Sequence, residues 1–119
     1  MAITSNTRDE ILTIYLLDAR VLEESQLDEL YKEIMAEIEK TTEDRVILDF
    51  QKVKFMSSSM LGKLVAIHKK CKEFKVKLKF TAIDKEILQV FKITKLDKLF
   101  DIVSDEAAAR KAFLRKGWF

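Results

Sequence analysis

Apolar residues recur along this chain with two different spacings, one typical of strands and one typical of helices. Residues 11–17 and 46–50 are short, apolar and rich in β-branched side chains, as buried strands are. Each is followed by a longer segment whose apolar residues lie three or four positions apart, which predicts a helix with one buried face. The two helical stripes consist of Leu27, Leu30, Tyr31, Ile34 and Ile38, and of Leu61, Leu64, Val65, His68 and Cys71. The predicted order is therefore strand, helix, strand, helix, with the second helix over residues 60–74.

Polar residues predict where several helices begin. Ser25 and Asp28 form a capping-box pattern at the start of the first stripe. Asp84 is a suitable N-cap for a third helix. Residues 104–111 place acidic side chains first and basic side chains last, as a helix dipole favours. We therefore predict a last helix over that segment.

Lysine alternates with apolar residues between the second and third helices. The sequence there is Lys75, Val76, Lys77, Leu78, Lys79 and Phe80. A period of two predicts a half-buried strand at an edge of the sheet, with its lysines on a face open to water. Lysines on an edge strand also discourage aggregation.

Strands that alternate with helices predict an α/β domain, in which right-handed crossovers join parallel strands and functional loops follow the carboxyl ends of strands. The 119 residues fit one domain, 1–119. Proline is absent and glycine occurs only twice, so we expect short connections between packed elements.

Composition narrows the classes of function. The chain has 22 Lys and Arg against 20 Asp and Glu, with 48% hydrophobic residues, as in soluble globular proteins. No apolar run approaches the roughly 20 residues that cross a bilayer, and the first residues lack the apolar core of a signal peptide. We therefore expect a cytoplasmic protein that does not bind a membrane. The lysines of residues 69–79 form a basic run, but few aromatic residues interleave with them, so we expect no nucleic-acid partner.

The chain offers little catalytic chemistry. It has one histidine and one cysteine, no phosphate-binding glycine loop and no paired carboxylates at a recognisable spacing. His68 is predicted to be a boundary residue of the second helix, and Cys71 a small buried side chain. We predict a protein that is not an enzyme and has no cofactor and no metal.

A run of three serines is the most informative motif. Residues 55–62 read Phe-Met-Ser-Ser-Ser-Met-Leu-Gly, where an extended segment passes into the second helix. A serine hydroxyl can accept a hydrogen bond from the free amides of a first helical turn, and these amides also favour a phosphate. Two interpretations follow from the residues: a cap with a tight turn, or an acceptor for a protein kinase.

This motif resembles that of the STAS domain of bacterial anti-sigma factor antagonists, Phe-Met-Asp-Ser-Ser-Gly-Leu-Gly. Residues 90–96 are similar to a second family pattern, Leu-Phe-x-x-x-Gly-Leu, which precedes the last helix. The resemblance covers nearly the whole chain. It implies a mixed, mostly parallel sheet of four to five strands, with about four helices packed mainly on one face.

The resemblance also implies a modified residue. The acceptor serine of the family falls on Ser58, with Ser57 and Ser59 as alternates. Ser57 replaces the aspartate of the family and Met60 its glycine, while Leu22 stands where the family often carries an acidic residue.

By the same resemblance, the protein binds an anti-sigma factor that is a serine-protein kinase, releases the sigma factor, and is switched off by phosphorylation. The alternative is a STAS scaffold subunit of a larger signalling complex that is never phosphorylated. We expect a monomer or a weak homodimer. Trp118 and Phe119 either dock on the domain or mark a contact.

Apolar residues beside the serines are candidates for the partner contact. The predicted contact residues are Met56, Ser57, Ser58, Ser59, Met60 and Ile67, with Phe74 further along the same flank of the second helix. The alternative for the apolar members is packing in or around the core.

Overall fold

A computed structural model describes residues 3–20 and 24–115. The predictions on Leu22, Trp118 and Phe119 lie outside the described residues. The elements, in chain order, are β1 (Ile3–Arg8), β2 (Ile11–Leu16), α1 (Glu24–Lys40), β3 (Arg45–Asp49), α2 (Ser58–Glu73), β4 (Lys77–Thr81), α3 (Lys85–Ile93), α4 (Leu96–Leu99), β5 (Ile102–Val103) and α5 (Glu106–Arg115).

The five strands form one mixed sheet in the order β1-β2-β3-β4-β5. β1 and β2 form an antiparallel hairpin, and every later pair of neighbours is parallel. Leu48 of β3 lies opposite Ile14 of β2 on one side and Phe80 of β4 on the other. The predicted mixed, mostly parallel sheet is confirmed.

Most helices pack on one face of this sheet. Crossovers of the same hand between consecutive parallel strands place their helices on the same side. The resulting core combines one face of the strands with the apolar stripes of α1, α2 and α3, and its fully buried members include Ile14, Ile34, Leu48, Leu64 and Phe91. The stripe predicted for α1 therefore faces the sheet, with Leu27, Leu30, Ile34 and Ile38 buried. In α2 the prediction was only partly right: Leu64 and Cys71 are buried together with Met60 and Ile67, whereas Leu61, Val65 and His68 are half-buried.

The opposite face carries a smaller core under α5. Ile11 and Ile47 of the strands pack there with Ala109 and Phe113 of α5. The prediction that this face is open to water at β4 was wrong for Lys79, which is only 5% exposed. Its Nζ lies 2.6 Å from Asp101 Oδ2 and 4.9 Å from the centre of the Phe113 ring. The alternation did place the lysines on one face, but the sequence did not reveal that α5 would cover it.

The predicted edge position of β4 holds for only part of the strand. β5 pairs with Phe80 and Thr81, so the second half of β4 lies inside the sheet. Lys75 precedes the strand and Lys77 is its first residue, and both are exposed as predicted.

Buried and partly buried hydrogen bonds hold α5 against the β1–β2 hairpin. The Arg110 guanidinium donates to Thr13 Oγ1 and to the carbonyl oxygen of Arg8, both at 3.2 Å, and to Glu106 Oε2 at 2.9 Å. Tyr15 donates its hydroxyl hydrogen to Glu106 Oε1 at 2.7 Å. Burial alone would raise the pKa of Glu106, but the hydrogen bonds from Tyr15 and Arg110 lower it. The carboxylate of Glu106, the first residue of α5, therefore stays charged at neutral pH.

Of the predicted helix caps, the one at Asp84 is confirmed and the one at Ser25 is not. Ser25 lies inside α1, which begins at Glu24, so the predicted capping box was wrong. Asp28 instead binds Lys63 of α2, with Oδ1 and Nζ 2.9 Å apart. The Asp84 cap is confirmed, because its Oδ1 accepts from the backbone N–H of Glu86 at 3.0 Å.

We predict that Leu64→Ala lowers the free energy of unfolding by about 2 to 5 kcal/mol, because it opens a cavity under α2. Leu64 is fully buried. Urea denaturation gives the change, and Lys69→Ala, at an exposed position of the same helix, serves as the control. A midpoint equal to that of the wild type would show that α2 packs through another face.

We also predict that Lys79→Gln destabilises the fold by about 1 to 2 kcal/mol, through the lost ion pair and the lost contact with the Phe113 ring. Lys77→Gln should change stability by less than about 0.5 kcal/mol, since that side chain is exposed. Equal denaturation midpoints for the two variants would contradict the burial of Lys79 under α5.

Candidate functional site

The loop between β3 and α2 is held at its base by a buried carboxylate. Asp49, at the end of β3, is 5% exposed. Its Oδ2 accepts from Thr81 Oγ1 at 2.8 Å, and its Oδ1 accepts from the backbone N–H of Gln51 at 3.0 Å. The backbone N–H groups of Lys54 and Phe55 both donate to the carbonyl oxygen of Ala19, at 2.9 and 3.2 Å. These hydrogen bonds anchor the loop and thereby fix the position of the three serines that follow it.

The three serines have different roles at the start of α2. Ser57 is the N-cap, and its Oγ accepts from the backbone N–H of Met60 at 3.2 Å. Ser58 and Ser59 are the first two residues of the helix, and both are exposed. Within the described residues, neither hydroxyl has a hydrogen-bond partner. The capping interpretation is therefore correct for Ser57, and two hydroxyls remain accessible beside it.

The electrostatics of this helix end favour an anion. α2 has 16 residues, and its first turn contains no acidic side chain to offset the positive end of the helix dipole. The free N–H groups of the first turn also point out of the helix at this end. A phosphate on Ser58 would therefore lie in a favourable local field.

An apolar groove lies beside the serines, between α2 and α3. Its cavity measures about 230 Å³, and its lining residues are Lys54, Phe55, Met56, Leu61, Glu86, Ile87 and Val90. Phe55 and Val90 leave 39% and 40% of their surface exposed, so the groove presents apolar surface to solvent. The Arg20 guanidinium lies 4.9 Å from the centre of the Phe55 ring. No local sequence pattern predicts this groove, because it forms only when α3 packs beside α2.

Some of the predicted contact residues lie on the surface of the protein, and others lie in its core. Met56 lines the groove next to the serines. Met60 and Ile67 are only 5% and 1% exposed and belong to the main core, in agreement with the packing alternative. Phe74 is 47% exposed, but it follows the last turn of α2, about 24 Å along the helix from Ser58. The structure thus brings Met56 together with the three serines and leaves Phe74 apart.

His68 and Cys71 are poorly placed for catalysis. Burial, followed by the charge of Lys72, lowers the pKa of His68, whose ring packs edge-on against Phe100 at 5.6 Å. No described group hydrogen-bonds to its Nε2. Cys71 is 1% exposed, and burial raises the pKa of its thiol to about 11. At neutral pH the thiol is therefore protonated and shielded.

Residues 3–20 and 24–115 contain no cluster of three or more His, Cys, Asp or Glu side chains placed to bind a metal ion. Over the same residues, no helix has the length and apolarity needed to cross a bilayer.

The family model of the STAS domain matches residues 3–109. This match covers most of the chain, and the chain therefore belongs to the STAS domain family. The resemblance inferred from the serine motif is confirmed.

Solved structures support the same fold. A putative anti-sigma factor antagonist from Thermotoga maritima is 17% identical, with a TM-score of 0.79 and 92% of each chain covered. The phosphorylated form of the Bacillus cell fate determinant SpoIIAA is 17% identical, with a TM-score of 0.67 over 93% of this chain and 99% of the other. A chain from the stressosome, described as a signal integration and transduction hub, is 11% identical, with a TM-score of 0.76 over 98% and 100%. At these identities the likeness shows the fold alone.

We predict that Ser57→Ala destabilises the protein by about 1 kcal/mol, because the N–H of Met60 loses its cap. Ser58→Ala and Ser59→Ala should each change the free energy of unfolding by less than about 0.5 kcal/mol. Urea denaturation of the three variants measures the difference. A larger loss at Ser58 than at Ser57 would contradict the assignment of the cap.

Proposed function

We propose that the protein is an anti-sigma factor antagonist that binds an anti-sigma factor kinase and thereby releases a sigma factor. The observation that carries the proposal is the exposed Ser58 hydroxyl, at a helix end with no acidic first turn and next to an apolar groove. Membership of the STAS family supports the same role. The protein acts as a regulator in the cytoplasm rather than as an enzyme.

In this proposal, the groove and the serines form one docking surface. An apolar side chain of the partner enters the groove beside Phe55 and Met56, where it replaces water against exposed apolar surface. Ser58 and Ser59 lie at the rim of the same contact. Met60 and Ile67 contribute from below, since they fix the position of the helix without touching the partner.

Phosphorylation of Ser58 controls that contact through charge. A phosphate adds roughly one and a half to two negative charges and a strongly hydrated group to the rim. The start of α2 tolerates the charge, so the fold is preserved. The partner must then dock against a hydrated anion, which weakens binding. Ser59, equally exposed, is the first alternate acceptor, whereas the Ser57 hydroxyl is engaged in capping.

A scaffold role is the second candidate. The stressosome chain shares this fold, and the serine motif here lacks the aspartate and the glycine of the family pattern. In that case the same groove binds a neighbouring subunit, and Ser58 stays unmodified. Neither candidate requires nucleic acid, a membrane or a cofactor, and both are compatible with a monomer or a weak homodimer before assembly.

We predict that Ser58→Glu weakens binding to an anti-sigma kinase by at least about tenfold, or about 1.4 kcal/mol, because it places a permanent negative charge in the contact. Isothermal titration calorimetry with a kinase from the same organism measures the affinity. The control is Thr42→Glu, which makes the same change of a hydroxyl into a carboxylate at an exposed position near the other end of the sheet.

Circular dichroism should show the same fold for both variants. Equal affinities of wild type and Ser58→Glu for the kinase would refute the switch. Equal weakening by Thr42→Glu would show that the effect is one of net charge and not of the docking surface.

A further inference from the structure

The first half of β4 has an unpaired edge. β5 has only two residues, and they pair with Phe80 and Thr81. The backbone N–H of Phe80 donates to the carbonyl oxygen of Asp101, toward β5. Because strand residues repeat every two positions, the peptide groups of Leu78 point the same way. Among the described residues, no strand pairs with residues 77–79 on that side.

A cavity of about 280 Å³ adjoins this open edge, between α2 and α5. Its apolar lining consists of Cys71, Val76, Leu78 and Phe113, its charged lining consists of Lys72, Lys77, Lys79 and Asp101, and His68 completes the wall. Asp101 already pairs with Lys79 at 2.6 Å. Lys72 and Lys77 are exposed, and neither has an ion pair within the described residues. The backbone N–H of Val76 already donates to the carbonyl oxygen of Cys71 at 2.8 Å, so Leu78 provides the open backbone groups. The site therefore combines these groups with apolar surface and two unneutralised positive charges.

The two faces of β4 carry different side chains, and these determine which residues an added strand needs on each face. Val76 and Leu78 belong to the helix-covered face, next to Cys71. Lys79 lies on the opposite face, where Phe113 of α5 packs, and Lys77 shares that face by the period of two. A strand added at this edge would alternate its own side chains between the same two faces. Apolar residues suit the face of Val76 and Leu78, and carboxylates suit the face of Lys77. Lys72, an exposed residue in the last turn of α2, adds a second positive charge to the lining of the cavity.

We propose that the open edge of β4 and its cavity bind an extended segment of a partner protein in which apolar and acidic residues alternate. Backbone hydrogen bonds to Leu78 provide the pairing, while Lys72 and Lys77 select for carboxylates. This surface lies near the end of α2 remote from Ser58, so it is separate from the docking surface proposed above.

A second copy of this chain fits the edge poorly. Antiparallel pairing of two such edges about Leu78 would bring the unneutralised Lys72 and Lys77 of both copies into one interface. Like charges brought together across a strand pair destabilise it. The charge of the edge therefore favours an acidic partner over self-association.

The test is a titration of the ¹⁵N-labelled full-length protein with an acetylated, amidated heptapeptide of alternating valine and glutamate. Saturable shifts of the backbone amides of Leu78 and its neighbours are expected. A peptide with lysine in place of glutamate should not bind. A peptide N-methylated along the edge that faces β4 should bind at least about tenfold more weakly, because it cannot form the backbone hydrogen bonds.

Protein variants test the charges. The double substitution Lys72→Glu and Lys77→Glu should weaken binding of the valine-glutamate peptide by at least about tenfold. Lys52→Glu combined with Lys92→Glu makes the same change of net charge at exposed positions outside the cavity, and should leave the affinity within about twofold. All four positions are exposed, and circular dichroism checks that each variant folds.

Three results would overturn the proposal. The first is the absence of saturable shifts up to about 1 mM peptide, the weak end of specific binding. The second is equal binding of the lysine peptide. The third is a set of shifts at residues 76–79 that depend on protein concentration without any peptide, which would assign the edge to a second copy.

Discussion

The parallel pairing of β2, β3 and β4 is the constraint on which the rest of the structure depends. Consecutive parallel strands require return crossovers, and crossovers of one hand put α1, α2 and α3 on the same face. The carboxyl ends of the strands then lie together, and the loop that carries the serines begins there, at Asp49. The amino ends of the strands lie at the opposite end of the sheet. Lys77, the first residue of β4, lies there beside the lysine-lined cavity.

Adjacent serines have different roles at the start of α2: one caps the helix, and the other two stay accessible to solvent. Ser57 satisfies the N–H of Met60, so the helix does not need the hydroxyls of Ser58 and Ser59. Those hydroxyls face solvent beside the groove. The absence of an acidic first turn keeps the helix end receptive to added negative charge. A modification there would therefore change the surface beside the groove without disturbing the core beneath it.

The sequence predicted those elements in which the spacing of apolar residues coincides with the residues that are buried. Examples are β3 and the part of α2 around Leu64. It did not predict β1, because Ile3 is the only apolar residue of that strand and its partner β2 supplies the stability. The burial of Lys79 depends on α5, which is distant in sequence from β4, so no local pattern encodes it. The serine motif indicated the candidate site, but the groove beside it forms only where α2 and α3 pack together.

The most direct test of the central claim, that Ser58 is the regulated contact, is the intact mass of the protein after incubation with ATP and an anti-sigma kinase from the same organism. We expect the mass of one added phosphate, mapped by peptide fragmentation to Ser58, and no gain for Ser58→Ala. An unchanged mass of the wild type, with a kinase that binds it and is active on a control substrate, would contradict the switch and favour the scaffold.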